Sequence, residues 1–207
     1  FNPDHFFSWH KYYAYNSGII GNLLPHRFQP LMIATGNAEY PRRVVCTGTR
    51  KVSTDRDITD TTHILAEFPG GLTLILVGTT VNEQGLPEML RGQKATIRFA
   101  TSQNRAELTP ESIFSEKMDA EAFSDPQPTE RIELLERHFF ECIRTGKTPI
   151  PNIDLAMRAH TVLALAEMSE RLGLTLFYDH QKRQIKTGEG KVIPPLDYNT
   201  RVPKFEA

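Results

Sequence analysis

In one short apolar stretch of this 207-residue chain, an amide and an imidazole stand four residues apart as Asn22 and His26. Side chains at i and i+4 share one helix face, so the pair can point together into a cleft. An imidazole, with a pKa of about 6.5, can take the proton of a hydroxyl, which makes His26 a candidate general base. The approach to the pair is aromatic and basic: Lys11, Tyr12 and Tyr15 precede it and Arg27 follows it. Charge-assisted donors and flat rings of this kind suit the hydroxyl or carboxylate groups of a sugar. Tyr12 and Tyr13 would serve equally well as packing at a domain junction.

The remaining reactive residue types form no comparable group. His5 and His10 lack a partner at metal-ligand spacing, and His63, His138 and His160 have no acidic or cysteine neighbour that points to zinc, so no metal is expected. Cys46 and Cys142 are too few and too far apart for a disulfide framework and read as reduced, buried thiols. Ser8 and Ser17 lack a nucleophile-elbow context. The net charge is −1, from 24 basic and 25 acidic side chains, so there is no electrostatic footprint for nucleic acid or an anionic membrane. No apolar run is long enough to span a bilayer.

Stepping outward from His26, a helix is expected within residues 20–35. Pro25 and Pro30 each remove a backbone bond there, which predicts a late start near Pro25 or a kink at Pro30, and Gly36 closes the helix. From 42 to 100 the period becomes that of strands, with β-rich runs at 44–47, 63–68, 72–77, 88–91 and 95–99 and a hairpin at Pro69-Gly-Gly71. Residues 101–128 read as an irregular excursion with one short strand near 105–109. Two helices follow, over 130–145 and 153–172. The first begins at Pro128 or Thr129, carries an apolar stripe of Ile132, Leu135, Phe139 and Ile143, pairs Glu133 with Arg137 on its outer side and ends at Gly146. The second is capped by Asn152 or Asp154, turns Leu155, Ala159, Val162 and Ala166 inward and ends at Gly173. A final strand is expected at 174–178. The sum is an α+β fold, a predominantly antiparallel sheet with helices on one face. Strand 72–77 is apolar or β-branched on both alternating sets, which predicts that its second face is buried against another sheet or under the chain's own tail.

The pattern Gly18-x-x-x-Asn22-x-x-x-His26, followed by an apolar turn and Gly36, resembles the second domain of the glucose-fructose oxidoreductase / inositol dehydrogenase family (Gfo/Idh/MocA). Further motifs follow in family order: Phe68-Pro-Gly-Gly-Leu-Thr, the pair Gly92 and Thr96, His138 through Gly146 to Pro149, and Met168 through Arg171 to Gly173. The resemblance implies that His26 serves catalysis beside a lysine of the first domain. From their own chemistry Lys11, Tyr15, Asn22 and Arg27 are the expected substrate-binding residues, and the resemblance implies that two such sheets associate face to face. Asn22 and Gln29 stand where the family more often has acids. An amide can orient the imidazole but cannot stabilise its cation by charge.

A G-x-G-x-x-G turn after a strand and a Glu-Lys-Pro are both absent, although the family places them in its first domain. The chain therefore reads as the second half of a longer enzyme: residues 1–17 an inter-domain segment, 18–180 a substrate-binding and oligomerisation domain, 181–207 a C-terminal tail. The resemblance implies an NAD(P)-dependent oxidoreductase acting on a sugar, cyclitol or related polyol. NAD or NADP would be held by the full-length protein and none by this piece, which alone would be inactive. A homodimer or homotetramer through the sheet face and a cytoplasmic location are expected. The alternatives are a non-catalytic dimerisation module and an NAD-dependent relative that cleaves glycosides.

Overall fold

The computed structural model describes residues 1–100, 104–125 and 131–196. The fold is α+β, as the strand and helix patterns predict, but its strands form two antiparallel sheets where the sequence reading expected one. These belong to two compact units, one of Phe1–Glu83 with the chain from Ile153 onward, the other of Gln84–Asn152.

The first unit holds helices α1 (Pro3–Phe7), α2 (Ile19–Asn22), α3 (Leu24–Ala34) and α5 (Ile153–Leu172). Its six-stranded sheet runs β10-β9-β8-β1-β2-β3, with β1 Arg43–Thr49, β2 Thr61–Glu67, β3 Thr73–Thr79, β8 Leu176–Asp179, β9 Gln184–Thr187 and β10 Val192–Ile193. Period-two alternation sends Val44 and Cys46 of β1, Ile64 and Ala66 of β2, Leu76 of β3 and Leu176 of β8 to one face. There they meet Leu24, Phe28 and Met32 of α3 and Leu155, Ala159, Val162 and Ala166 of α5, the inward set that helical spacing predicted. Gly173, at φ 65°, ends α5.

The opposite face is open among the described residues. Register places Val45, Leu65 and Ile75 side by side across β1, β2 and β3, with Thr47, His63 and Val77 as the next row. Ile75 is 72% exposed. The apolar character of both faces of β3 is thus real, but in the single chain the second face meets solvent.

Pro25 and Pro30 act as their chemistry requires. Proline at 25 cannot donate to the carbonyl of Gly21, and its ring crowds that carbonyl. The helix breaks at Leu23 and restarts with Pro25 in the first turn of α3. Asn22 and His26 therefore lie on two short helices, a correction to the single helix face expected for them. Pro30 lies inside α3 and deprives the His26 carbonyl of its usual donor four residues on.

The stretch from 181 onward, read as tail, supplies β9 and β10: β9 pairs with β8, and Ile185 and Ile193 pack against the core. Both strands are short and β9 is mostly polar, so pairing of β9 with β8 and of β10 with β9 makes them, not their own pattern. Residues 197–207 lie outside the described residues.

The second unit has a four-stranded sheet, β4-β5-β6-β7, of Glu88–Arg91, Ala95–Ala100, Arg105–Pro110 and Glu121–Ser124, followed by α4 (Ile132–Thr145). The expected irregular excursion thus contains two strands. Gly146 closes α4 at φ 67°. Pro128 and Thr129, expected to start this helix, lie outside the described residues. The stripe of Ile132, Leu135, Phe139 and Ile143 forms on α4 as spaced, yet all four are exposed. Among the described residues of this unit only Thr96 and Cys142 are buried.

Candidate functional site

The polar cluster at the start of the chain is built by local rules. Asn2 caps α1, its side-chain oxygen accepting from the N–H of Asp4 at 3.0 Å and of His5 at 3.3 Å, with Pro3 in the first turn. That fixes Asp4 and His5 beside the 3-10 turn Trp9–Lys11. The Tyr12 hydroxyl donates to Asp4, the His5 ring stacks on Tyr12 with centroids 4.0 Å apart, and His5 Nδ1 lies 3.2 Å from the Tyr15 hydroxyl. Asp4 holds the Tyr12 phenol in its neutral form, its pKa pushed up to about 12.

Lys11 Nζ lies 2.8 Å from Asp55 and 3.7 Å from Asp4. Hydrogen bonding to Asp55 raises the Lys11 pKa, and Arg56 and Lys11 together hold Asp55 well below the usual carboxylate range. The ammonium expected to meet substrate is thus already engaged by two carboxylates of its own chain. Asp57 adds a second link: its side chain accepts from the Tyr13 N–H at 2.8 Å, while the N–H groups of Asp57 and Ile58 donate to the Lys11 carbonyl. The loop 50–60 is itself closed by Asp60, whose Oδ2 accepts from the N–H groups of Lys51, Val52 and Ser53 at 2.9, 2.8 and 3.0 Å.

Beneath this wall lies a buried acid. Glu170, in the last turn of α5, accepts from the Tyr13 hydroxyl at 3.0 Å, from Thr59 at 3.0 Å and from Thr62 at 3.1 Å. Its neighbour Arg171 pairs with Glu167 at 2.6 Å and lies over the Tyr13 ring, 4.9 Å from its centroid. Burial raises the pKa of Glu170 despite its three hydroxyl donors and drives that of Tyr13 upward too.

The chain leaves this cluster through Gly18, whose φ of 60° and approach to Ile58, with a built Cβ 2.8 Å from Cδ1, admit only glycine. Ile19 and Ile20 of α2 then enter the core, and Asn22, His26 and Arg27 come out on the exposed side of α2 and α3. The structure thus gathers Lys11, Tyr12 and Tyr15 in one cluster. Among the described residues the side chains of Asn22 and His26 make no hydrogen bond to it or to one another. Sequence reasoning missed Asp4, His5, Asp55, Asp57 and Glu170, since no local spacing marks carboxylates whose partners lie in distant segments.

Gly18-x-x-Gly21 does not fit a dinucleotide phosphate. The Gly18 N–H is taken by the Asn16 side chain at 3.1 Å, and the turn opens into the buried Ile19 and Ile20 of a four-residue helix. Among the described residues no group of His, Cys, Asp and Glu is placed to hold a metal ion, and no helix is long and apolar enough to cross a membrane.

The chain matches no protein-family model and no curated protein sequence. Its fold, however, is found in solved oxidoreductases. An aldose-aldose oxidoreductase from Caulobacter crescentus, complexed with glycerol, superposes with a TM-score of 0.64 at 22% identity, over 82% of this chain and 50% of that one. An NAD-binding oxidoreductase from Klebsiella pneumoniae gives 0.65 at 12% identity, over 79% and 51%. A UDP-N-acetylglucosamine 3-dehydrogenase from Acidithiobacillus ferrooxidans gives 0.59 at 14% identity, over 73% and 46%. The chain spans about half the length of the structures it matches. Its fold is accordingly that of one half of these oxidoreductases, in agreement with the Gfo/Idh/MocA resemblance carried by the motifs.

Proposed function

We propose that this chain is the substrate-binding and oligomerisation half of a longer NAD(P)-dependent oxidoreductase acting on a sugar, cyclitol or related polyol. The observation that carries the reading is the coincidence of two independent features. The fold is shared with oxidoreductases twice this length, and Asn22 and His26 of the Gly18, Asn22, His26 pattern are exposed on α2 and α3 of that fold. The hydride acceptor belongs to the part of the enzyme that these residues do not hold. What this chain supplies is the imidazole of His26, which takes the proton of the substrate hydroxyl. Asn22, Lys11, Tyr15 and Arg27 contact the hydroxyls of the substrate.

The open sheet face supports an oligomer. Val45, Leu65 and Ile75 form a continuous apolar row beside Val77, and a second copy laid face to face would cover it. The same face supports a second reading, a non-catalytic association module, which needs the sheet but not His26.

Calorimetric titration tests the division of labour. NAD(H) should bind the chain carrying its upstream coding region, and NAD⁺ bound there should be reduced to NADH as one member of an aldose and cyclitol panel is oxidised to the carbonyl, while the 207-residue chain alone binds none appreciably. Micromolar NAD(H) binding to the chain alone would overturn the proposal, and an upstream region with no dinucleotide affinity would leave the association module.

A further inference from the structure

Glu170 occupies a place where a carboxylate is costly, and three hydroxyls from three parts of the chain converge on it. Tyr13 of the approach segment reaches Oε2, while Thr59 of loop 50–60 and Thr62 of β2 reach Oε1. Gly48 of β1 makes the room: a Cβ built there falls 1.8 Å from Oε1. Tyr13, Thr59, Thr62 and Glu170 are all buried. No ligand can reach this carboxylate, so its work must pass through the residues it holds.

What it holds is the aromatic wall. The approach segment carries Lys11, Tyr12 and Tyr15, and loop 50–60 carries Asp55 and Asp57. At the surface the two are tied by the ion pair from Lys11 to Asp55 and by the bonds of Asp57 and Ile58 to residues 11 and 13. At depth, Glu170 takes one hydroxyl from each. A hydrogen bond fixes direction as well as distance, whereas apolar packing at the same point would fix only volume.

We propose that Glu170 is the positioning residue of the candidate site, anchoring the approach segment and loop 50–60 together so that the Lys11, Tyr12 and Tyr15 wall keeps one geometry. Its importance for substrate rests on reading that wall as a substrate surface.

Amide hydrogen exchange on Tyr13→Phe tests the anchor without any substrate. The variant keeps the ring under Arg171 and loses only the hydroxyl. Exchange at the amides of Tyr13, Asn16, Asp57 and Ile58 should quicken by about 10- to 100-fold, as expected for loss of one bond to a charged acceptor, while α5 and β1 stay protected. Thr59→Val, which removes a second donor to the same carboxylate, should loosen the same amides. Unchanged exchange there in both variants, or acceleration spread evenly over β1, β2 and α5, would overturn the proposal. Kinetics of Tyr13→Phe in the longer enzyme then judge the wall: KM should rise more than kcat falls. Looser amides with an unmoved KM leave the anchor standing and remove the wall from the substrate site.

Discussion

The Tyr13 hydroxyl and the Glu170 carboxylate meet at 3.0 Å across a separation of 157 residues. That single bond joins the segment leading to the candidate site with the last turn of the helix that closes the core. Arg171, stacked on the same ring and paired with Glu167, makes the end of α5 a buried polar knot.

Gly48→Ala should destabilise the first unit. The added methyl meets Glu170 Oε1 at 1.8 Å and Thr59 Cγ2 at 2.6 Å, so the knot must shift. Overpacking of this kind costs about 1–3 kcal/mol, read as a lower denaturant midpoint at unchanged slope.

Glu170 should also leave a signature in pH. Burial raises its folded-state pKa above the ordinary 4.5, so the folded chain binds this proton more readily than the unfolded one. The stability it contributes is fully present below the ordinary value and is lost as pH rises through the raised one. Glu170→Gln removes this titration. Unfolding midpoints measured from pH 4 upward should show wild type losing ground to the variant as pH increases. A constant difference between the two would place no titration at Glu170.

Cys46 should be inert in the folded chain. Burial pushes its thiol up to about 12, so almost no thiolate exists at neutral pH. Mass spectrometry after brief iodoacetamide treatment should find Cys46 unmodified until denaturant is added.

The sheet face gives a prediction about association. Ile75→Asp places a charge in the middle of the Val45, Leu65, Ile75 row, and light scattering should report a smaller particle than for wild type. Wild type running as a monomer of 23.5 kDa at micromolar concentration would remove this face as an interface.

Much of the architecture was legible because it follows from spacing. Leu155, Ala159, Val162 and Ala166 recur at helical intervals and are buried, and the β1 to β3 runs alternate as a half-covered sheet requires. Pro25 announced the late start of α3, but a ring clash with the Gly21 carbonyl also split Asn22 from His26, which a helix-face argument passes over. The strands Gln184–Thr187 and Glu121–Ser124 carry no apolar alternation and exist through their neighbours' unpaired edges. Glu170 was illegible for a stronger reason. Its partners lie 157, 111 and 108 positions away, and nothing local marks a glutamate as buried. The counter-charges of Lys11 were hidden likewise, since Asp55 reaches it only through the folded loop.

The role of His26 decides the central claim. The chain, expressed with its upstream coding region, should reduce a nicotinamide cofactor in the presence of one sugar or cyclitol, followed by the absorbance of the reduced form. His26→Ala should lower kcat by about 10²- to 10⁴-fold, the usual contribution of a general base, with the unfolding midpoint unchanged because this side chain is exposed. Turnover equal to wild type in His26→Ala would contradict the account.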